Sequence, residues 1–377
     1  MSLSKSRFIE MFGDVINNKK TWSTKRWSDV LNIVNGKNQK KVECENGIYP
    51  ICGSGGKIGK TNEYLTKENS VIIGRKGNIN NPILMKTKFW NVDTAFGLEP
   101  NNKEINVEYL YKFCELFDFQ RLNKTVTIPS LTKSDLLKIE IPVPPMKLQE
   151  EYRNFLAQVD KSKFLLQKIL EKLELLKKSR FIEMFGRLGC DDKKWGLVSL
   201  GEFCLLNPQK SELHNISDDT EVSFLPMSSV SENGELTLSE RKLYRDVKSG
   251  FSYFAEGDVL FAKITPCMEN GKGAVAHGLC NNIGFGSTEF HVLRAKTSVC
   301  NPYWLYELLS LKQFRKIAEQ NMTGSAGQKR VPAKFLQNFK LSLPPIELQN
   351  EYVSISRQID KSKLVIQKSL EDLVGKS

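Results

Sequence analysis

Many of the patterns that announce an enzyme, a membrane protein or a metal protein are missing from this 377-residue chain. No apolar run approaches the roughly 18 residues of a membrane-spanning helix. The opening residues, MSLSKSRFIEMFG, lack the apolar core of a secretion signal, so the sequence reads as a cytoplasmic protein without a membrane. Eight cysteines, at 44, 52, 114, 190, 204, 267, 280 and 300, form no CxxC pair. The histidines, His214, His277 and His291, do not stand at zinc-finger spacing from them, so no metal site is expected. In a reducing compartment such cysteines serve as small apolar residues. There is no G-x-S-x-G elbow, no HExxH, and no G-x-G-x-x-G after a strand. There is also no Asn-Pro-Pro-Tyr-like tetrapeptide for methylating an amino base; LNPQ (206–209) is not one. No catalytic residue can be named.

What is present is positive charge. The net charge of +12 favours a polyanionic partner, although a solvated basic surface would give the same number. The second conspicuous feature is a repeat. KSRFIEMFG occurs at 5–13 and again at 178–186, and the match continues with Trp22 answering Trp195, Trp27 answering Leu200 and Asp29 answering Glu202. Further on, YLTKENSVIIGRKG (64–77) resembles YFAEGDVLFAKIT (253–265), which aligns Arg75 with Lys263. VEYLYKF (107–113) resembles PYWLYEL (302–308), IPVPPMKLQEEY (141–152) matches LSLPPIELQNEY (341–352), and VDKSKFLLQKILEKL (159–173) matches IDKSKLVIQKSLEDL (359–373). The chain is one unit written twice, each a globular stretch of about 130–160 residues followed by a long helix. The order is circular: the second copy stops near where KSRFIEMFG should follow, and that piece stands at the N-terminus. The two ends are therefore expected close together.

Each Pro-Pro pair can open a helix, because proline is tolerated in the first turn. In the first copy Leu148, Tyr152, Phe155, Val159, Ser162, Leu166, Ile169, Leu173 and Leu176 alternate steps of four and three, a heptad seam. The second copy keeps the register with Leu348, Tyr352, Ile355, Ile359, Ser362, Ile366, Ser369 and Leu373. A seam this long needs a partner, and the other copy's helix is the obvious one. Helices of this size span roughly 50–60 Å.

One stretch, ICGSGGKIGKT (51–61), looks like a phosphate loop. Counting back from Gly59-Lys60-Thr61, however, the glycine that a Walker A loop needs falls on Ser54. The residues that follow, NEYLTKENS, read as turns before a strand rather than as the helix whose N-terminus would carry the anion. Two readings stay open: a glycine-rich turn between strands, or a loop whose backbone approaches another phosphate chain.

Four polar loops lie at equivalent places in the two copies. GRKGNINNP (74–82) and NKTVTIPS (123–130) belong to the first; AKITPCMENGKGAV (262–275) and TGSAGQKRVP (323–332) belong to the second. Arg and Lys contact phosphate or guanine, and Asn and Gln pair with adenine. Turns are rich in such residues anyway. The candidate nucleic-acid contacts are Lys57, Lys60, Arg75, Lys76, Asn78, Asn80 and Lys124 in the first copy. In the second they are Lys263, Thr265, Asn270, Lys272, Gln328, Lys329 and Arg330.

These residues resemble the specificity (S) subunit of type I restriction–modification enzymes, over nearly the whole chain. The resemblance rests on YPICGSGGKIGKTNEYL, VIIGRKGNINNPILM with FWNVDTAFGL, FAEGDVLFAKITPCMENGKGA, the two PP-x-x-LQ-x-EY helix openings, and KSRFIEMFG after the helix. It implies two target recognition domains, each reading one half of a bipartite site in double-stranded DNA. It implies conserved helices that pair antiparallel, set the half-site spacing and dock the modification subunits. It also implies a chain with no catalysis and no cofactor of its own. S-adenosylmethionine would be used by the modification subunits, and ATP and Mg by the partner subunits of the complex, which include a restriction subunit. Recognition domains vary most within the family, so no base preference carries over.

The expected fold is mixed α/β (α+β) with an internal two-fold repeat. Residues 1–13 are the tail of a conserved helix, 14–145 and 187–345 the recognition domains, and 146–186 and 346–377 the long spacer helices. Helix pairing is assigned to Leu148, Tyr152, Phe155, Val159, Leu166, Leu173, Leu348, Tyr352, Ile355, Ile359, Ile366 and Leu373. The alternatives are a protein scaffold that binds no DNA, an orphan DNA-binding regulator, and a nucleotide hydrolase using 53–61.

Overall fold

The computed structural model describes residues 2–125, 128–325 and 327–375. Two compact units divide it: Met1–Lys168 with Ile366–Ser377, and Ile169–Val365.

The first unit opens with α1 (Leu3–Phe12), β1 (Thr24–Arg26), α2 (Trp27–Val30), β2 (Leu31–Asn35), β3 (Tyr49–Gly53), β4 (Gly56–Thr61), β5 (Ser70–Gly74), β6 (Ile83–Met85), β7 (Trp90–Asn91) and β8 (Ala95–Pro100). It continues with α3 (Val107–Leu116), α4 (Lys133–Leu136), β9 (Glu140–Pro142) and the start of α5 (Met146–Phe185). One sheet has the order β2-β8-β5-β6 and another β4-β3-β7, while β1 pairs with β9. SVIIG is buried at every position because β5 lies between β8 and β6 with both faces covered. Trp27, Phe113 and Phe119 fill the core beneath α3.

The second unit repeats this plan with β10 (Leu197–Ser199), α6 (Leu200–Phe203), β11 (Cys204–Leu206), β12 (Glu221–Leu225), β13 (Arg241–Leu243), α7 (Tyr244–Val247), β14 (Ser252–Ala255), β15 (Val259–Ala262), β16 (Gly273–Val275), β17 (Ile283–Gly286) and β18 (Phe290–Ala295). Then follow α8 (Pro302–Ser310), α9 (Lys312–Gln320), α10 (Ala333–Asn338), β19 (Lys340–Ser342) and α11 (Ile346–Val374). The sheet β11-β18-β15-β16 answers β2-β8-β5-β6, and β10 with β19 answers β1 with β9. The sheet β13-β12-β17-β14 answers β4-β3-β7, since β12 pairs antiparallel with β13 and parallel with β17 as β3 does with β4 and β7. The added strand is β14, and α9 stands where the first unit has a short 3-10 helix, Phe119–Leu122.

The same joint ties the globular part of each unit to its long helix. Gln149 and Gln349 are 0% exposed. The Gln149 amide donates to the carbonyls of Pro144 and Glu104, and its Oε1 accepts from the backbone N–H of Asn106. Gln349 makes the matching bonds to Pro344, Val299 and Asn301. Asn106 and Asn301 are the caps that start α3 and α8. One turn on, Tyr152 packs edge-on against Phe8 and Phe12, at 5.4 and 5.5 Å between ring centroids. Tyr352 does the same with Phe181 and Phe185, at 5.2 and 5.3 Å. The phenols donate to the carbonyls of Ser4 and Lys177, which are themselves matching positions. KSRFIEMF is thus the aromatic half of both joints. In the first unit it arrives from the N-terminus, and Ser2 there lies against Gly375 so closely that a Cβ on that glycine would be 2.6 Å from the Ser2 Cα.

Within the second unit the end of α5 and the start of α11 run antiparallel. Lys177 bridges Asp360 at 2.9 Å and Glu307 of α8 at 2.7 Å, Glu174 bonds Lys363, and Phe181 meets Tyr352. The assigned seam residues are buried or half-buried at Leu148, Tyr152, Phe155, Val159, Leu166 and Leu173, and likewise at Leu348, Tyr352, Ile355, Ile359, Ile366 and Leu373. The heptad reading fails at four other positions. Ser162, Ser362, Ile169 and Leu176 are exposed, and the inward positions are Lys163, Lys363, Leu170 and Lys177. A helix of 3.6 residues per turn drifts about 20° per heptad from a strict 3.5 repeat, so the covered stripe moves by one residue.

Replacing Gln349 by Leu keeps the volume and strands the Asn301 N–H and two carbonyls. The second unit should lose about 2–4 kcal/mol, read as a lower urea midpoint. Gln358→Leu on the exposed face of the same helix should change it by less than about 0.5 kcal/mol.

Candidate nucleic-acid interface

The polar loops of each copy meet at one backbone node. Arg75 donates its N–H to the Thr94 carbonyl at 2.7 Å and accepts from the Leu131 N–H at 2.9 Å. Lys263 does the same with Glu289 and Val331, at 2.9 and 2.9 Å. One residue on, Lys76 bridges Ser130 and Ile264 bridges Arg330. Loop 74–82 is therefore bound to the segment around 128–131, and loop 262–272 to 323–331. Val126, Thr127 and Ala326, inside the second loop of each pair, lie outside the described residues.

The glycine stretch is a hairpin. Gly53 pairs with Gly56 across Ser54-Gly55, and Gly56 takes a φ of 109° that the turn requires. Lys57 and Lys60 stand exposed on β4. The segment after β7 links this hairpin to the first node: Val92 donates to the Cys52 carbonyl, and Thr94 holds Arg75.

Bonding separates the candidates into two groups. Among the described residues, the side chains of Lys57, Lys60, Lys76, Asn78, Lys263, Asn270, Gln328 and Lys329 make no direct hydrogen bond or salt bridge; all but the half-buried Lys263, whose charge also acts on Glu289, are exposed. Arg75 is half-buried, with its guanidinium 5.8 Å over the Phe96 ring and 3.5 Å from the Asp93 carbonyl. The remainder are engaged internally. Asn80 donates to Asp118 at 2.7 Å and accepts from the Phe119 N–H at 2.8 Å, and its amide is the main reason the Asp118 carboxyl sits below its ordinary pKa. Lys124 pairs with Asp135 at 2.8 Å. Thr265 donates to Glu269 at 2.6 Å, and Lys272 to the Met227 carbonyl at 3.1 Å. Arg330 forks onto Glu289 at 2.9 and 2.7 Å and holds that carboxyl low, while its Nη1 reaches the Gln328 carbonyl. These side chains shape the loops, and the unpartnered ones are available to a ligand.

Sequence reading missed several residues. Lys242 lies 3.6 Å over the Phe224 ring and Lys88 4.7 Å over Tyr64, pairs formed between segments 18 and 24 residues apart with no local signal. Gln149 and Gln349 could have been found, since each lies inside the quoted helix openings. On the long helices, Phe164 and Leu165 are exposed, as are Leu364 and Val365 at the matching positions. Among the described residues no helix is long and apolar enough to cross a membrane, and no group of three metal-ligating side chains gathers.

A duplicated mixed fold, with polar loops set at the same node of each copy and long helices attached by the same joint, defines a class of two-copy proteins built on paired loop-bearing domains. The chain belongs to the type I restriction modification DNA specificity domain family, whose model matches it twice, over residues 19–175 and 192–374. It is 37% identical to the type I restriction enzyme EcoAI specificity subunit of Escherichia coli over 194 residues, 48% of this chain. The match spans only 32% of that relative's length. It is 22% identical to the MjaVIII specificity subunit of Methanocaldococcus jannaschii, over 98% of this chain and 92% of that one. A solved chain from a study of complex assembly in the type I R-M system shares the fold with a TM-score of 0.62 at 18% identity, over 93% of this chain and 94% of that one.

Asn80→Ala should loosen the first loop without altering charge. Hydrogen exchange at the Phe119 amide is expected to accelerate about tenfold or more, while Lys76→Ala leaves it unchanged.

Proposed function

We propose that this chain gives a type I restriction–modification complex its DNA sequence specificity. The observation that carries the reading is the repeated node: at the same place two copies of one fold present unpartnered polar side chains, Lys76 and Asn78 in one and Lys263, Asn270, Gln328 and Lys329 in the other. In this reading residues 14–145 and 187–345 are recognition domains, each reading one half of a bipartite duplex site. Lysines near the node contact phosphate, and Asn78, Asn270 and Gln328 suit base edges. Residues 1–13, 146–186 and 346–377 form the helical part that sets the half-site spacing and docks the modification subunits. The exposed Phe164-Leu165 and Leu364-Val365 pairs support docking, because apolar side chains exposed at matching places fit a repeated partner. The chain acts as the non-catalytic member. Methyl transfer from S-adenosylmethionine belongs to the modification subunits, and the work of ATP and Mg to partner subunits that include the restriction subunit. The hairpin at 51–61 counts against the hydrolase alternative, since a phosphate loop opens into a helix.

Co-expression with its modification subunit, followed by genome-wide mapping of N6-methyladenine, tests the reading against a control with the modification subunit alone. A gapped motif that appears only with this chain is the expected result. No new motif, with both proteins soluble and associated, would overturn it in favour of a scaffold or regulator.

Charge reversal at Lys76 or Lys263 should weaken binding to cognate and unrelated duplexes alike. It should also flatten the slope of log affinity against log salt by about 0.9 for each phosphate no longer neutralised. Filter binding across a salt series reads both effects.

A further inference from the structure

Arg315 lies on α9, in whose place the first unit has only a short 3-10 helix, Phe119–Leu122. Arg315 is only 6% exposed. Its Nη1 donates to the Met268 carbonyl at 2.7 Å and its Nη2 to the Gly271 carbonyl at 3.0 Å. The guanidinium lies 4.9 Å over the Phe261 ring. Its Nε meets no acceptor, and among the described residues no carboxylate bonds it. Burial pulls its pKa down to about 10, which leaves it charged at neutral pH. A buried cation without a counter-ion is costly, and an apolar side chain would fill the same core space more cheaply. What the charge secures is a loop.

That loop is one tight helical turn. Met268 donates to the Ile264 carbonyl, Asn270 to Pro266, and Gly271 to Met268, with Gly271 closing the turn at a φ of 93°. Arg315 grips the carbonyl end of this turn, where a cation is favoured. A cleft of about 500 Å³ opens beside it, lined by Glu269, Asn270, Gly271 and Tyr306 as well as Arg315, so the turn has little other backing on that side. In the first unit the matching loop is hung instead from Asn80, through Asp118 and Phe119.

We infer that Arg315 is a positioning residue that fixes the 263–272 loop in its base-reading shape, and so sets the discrimination of the second half-site. The inference rests on the DNA-reading proposal, and its test separates the two. Arg315→Lys keeps the charge and loses the fork; Arg315→Met removes both and serves if the lysine variant folds poorly. Each is assembled with the modification subunits and tested on duplexes with either half-site scrambled. Discrimination at the second half-site should fall about tenfold, with the first half-site and the salt slope unchanged. Amides of Asn270–Lys272 should exchange at least tenfold faster, with β15 and β18 unaffected. Unchanged exchange and discrimination would overturn the inference, as would equal losses at both half-sites. If the unmodified chain discriminates at neither half-site, the DNA-reading proposal itself falls, and exchange at Asn270–Lys272 still decides whether Arg315 holds the loop.

Discussion

A buried glutamine at the start of each long helix carries the rest of the structure. Gln149 and Gln349 each bind three backbone groups on two different segments of the chain. Unmade, those bonds would leave buried donors and acceptors at about 1–3 kcal/mol apiece. The same glutamine orients the cap of α3 or α8, and those helices cover the sheet whose edge carries the loops. One turn later the tyrosine–phenylalanine clamp locks the KSRFIEMF helix, each ring pair adding about 0.5–1.5 kcal/mol beyond its buried area. Helix direction, cap and loop position are thus coupled through a few side chains.

Around this constant joint the loops differ in chemistry while sharing a backbone course. Thr94 and Ser130 in the first unit stand where Glu289 and Arg330 form an ion pair in the second. Asn80 anchors one loop and Arg315 the other. The main chain supplies the placement, so side chains at the node can change without moving it. Such an arrangement suits a protein whose two copies must read different things.

Much of this was legible in the sequence. Identical nonapeptides, paired Pro-Pro-x-x-Leu-Gln-x-Glu-Tyr openings and the alignment of Arg75 with Lys263 announced a duplicated fold and its nodes. The glycine stretch was correctly set apart from a phosphate loop by one displaced glycine. The division of the polar residues was not legible. Asn80 and Asn78 look alike in a sequence, yet one is held by Asp118 and Phe119 from 38 and 39 residues away and the other has no side-chain partner among the described residues. Arg330 looked like a phosphate contact until Glu289, brought in by β18, took its fork. The exposed seam serines have a different cause, the slow rotation of a real helix against a strict heptad.

Ser2 against Gly375, and the same nine residues at both joints, have a consequence for inheritance. Within the first unit the two chain ends meet, and the aromatic segment of each joint is spelled identically. A genetic crossover inside KSRFIEMFG would exchange one globular part for a foreign one and leave the aromatic segment that clamps Tyr152 or Tyr352 unchanged. New pairings of loop surfaces could then arise in one step, with the clamp that anchors each long helix already in place.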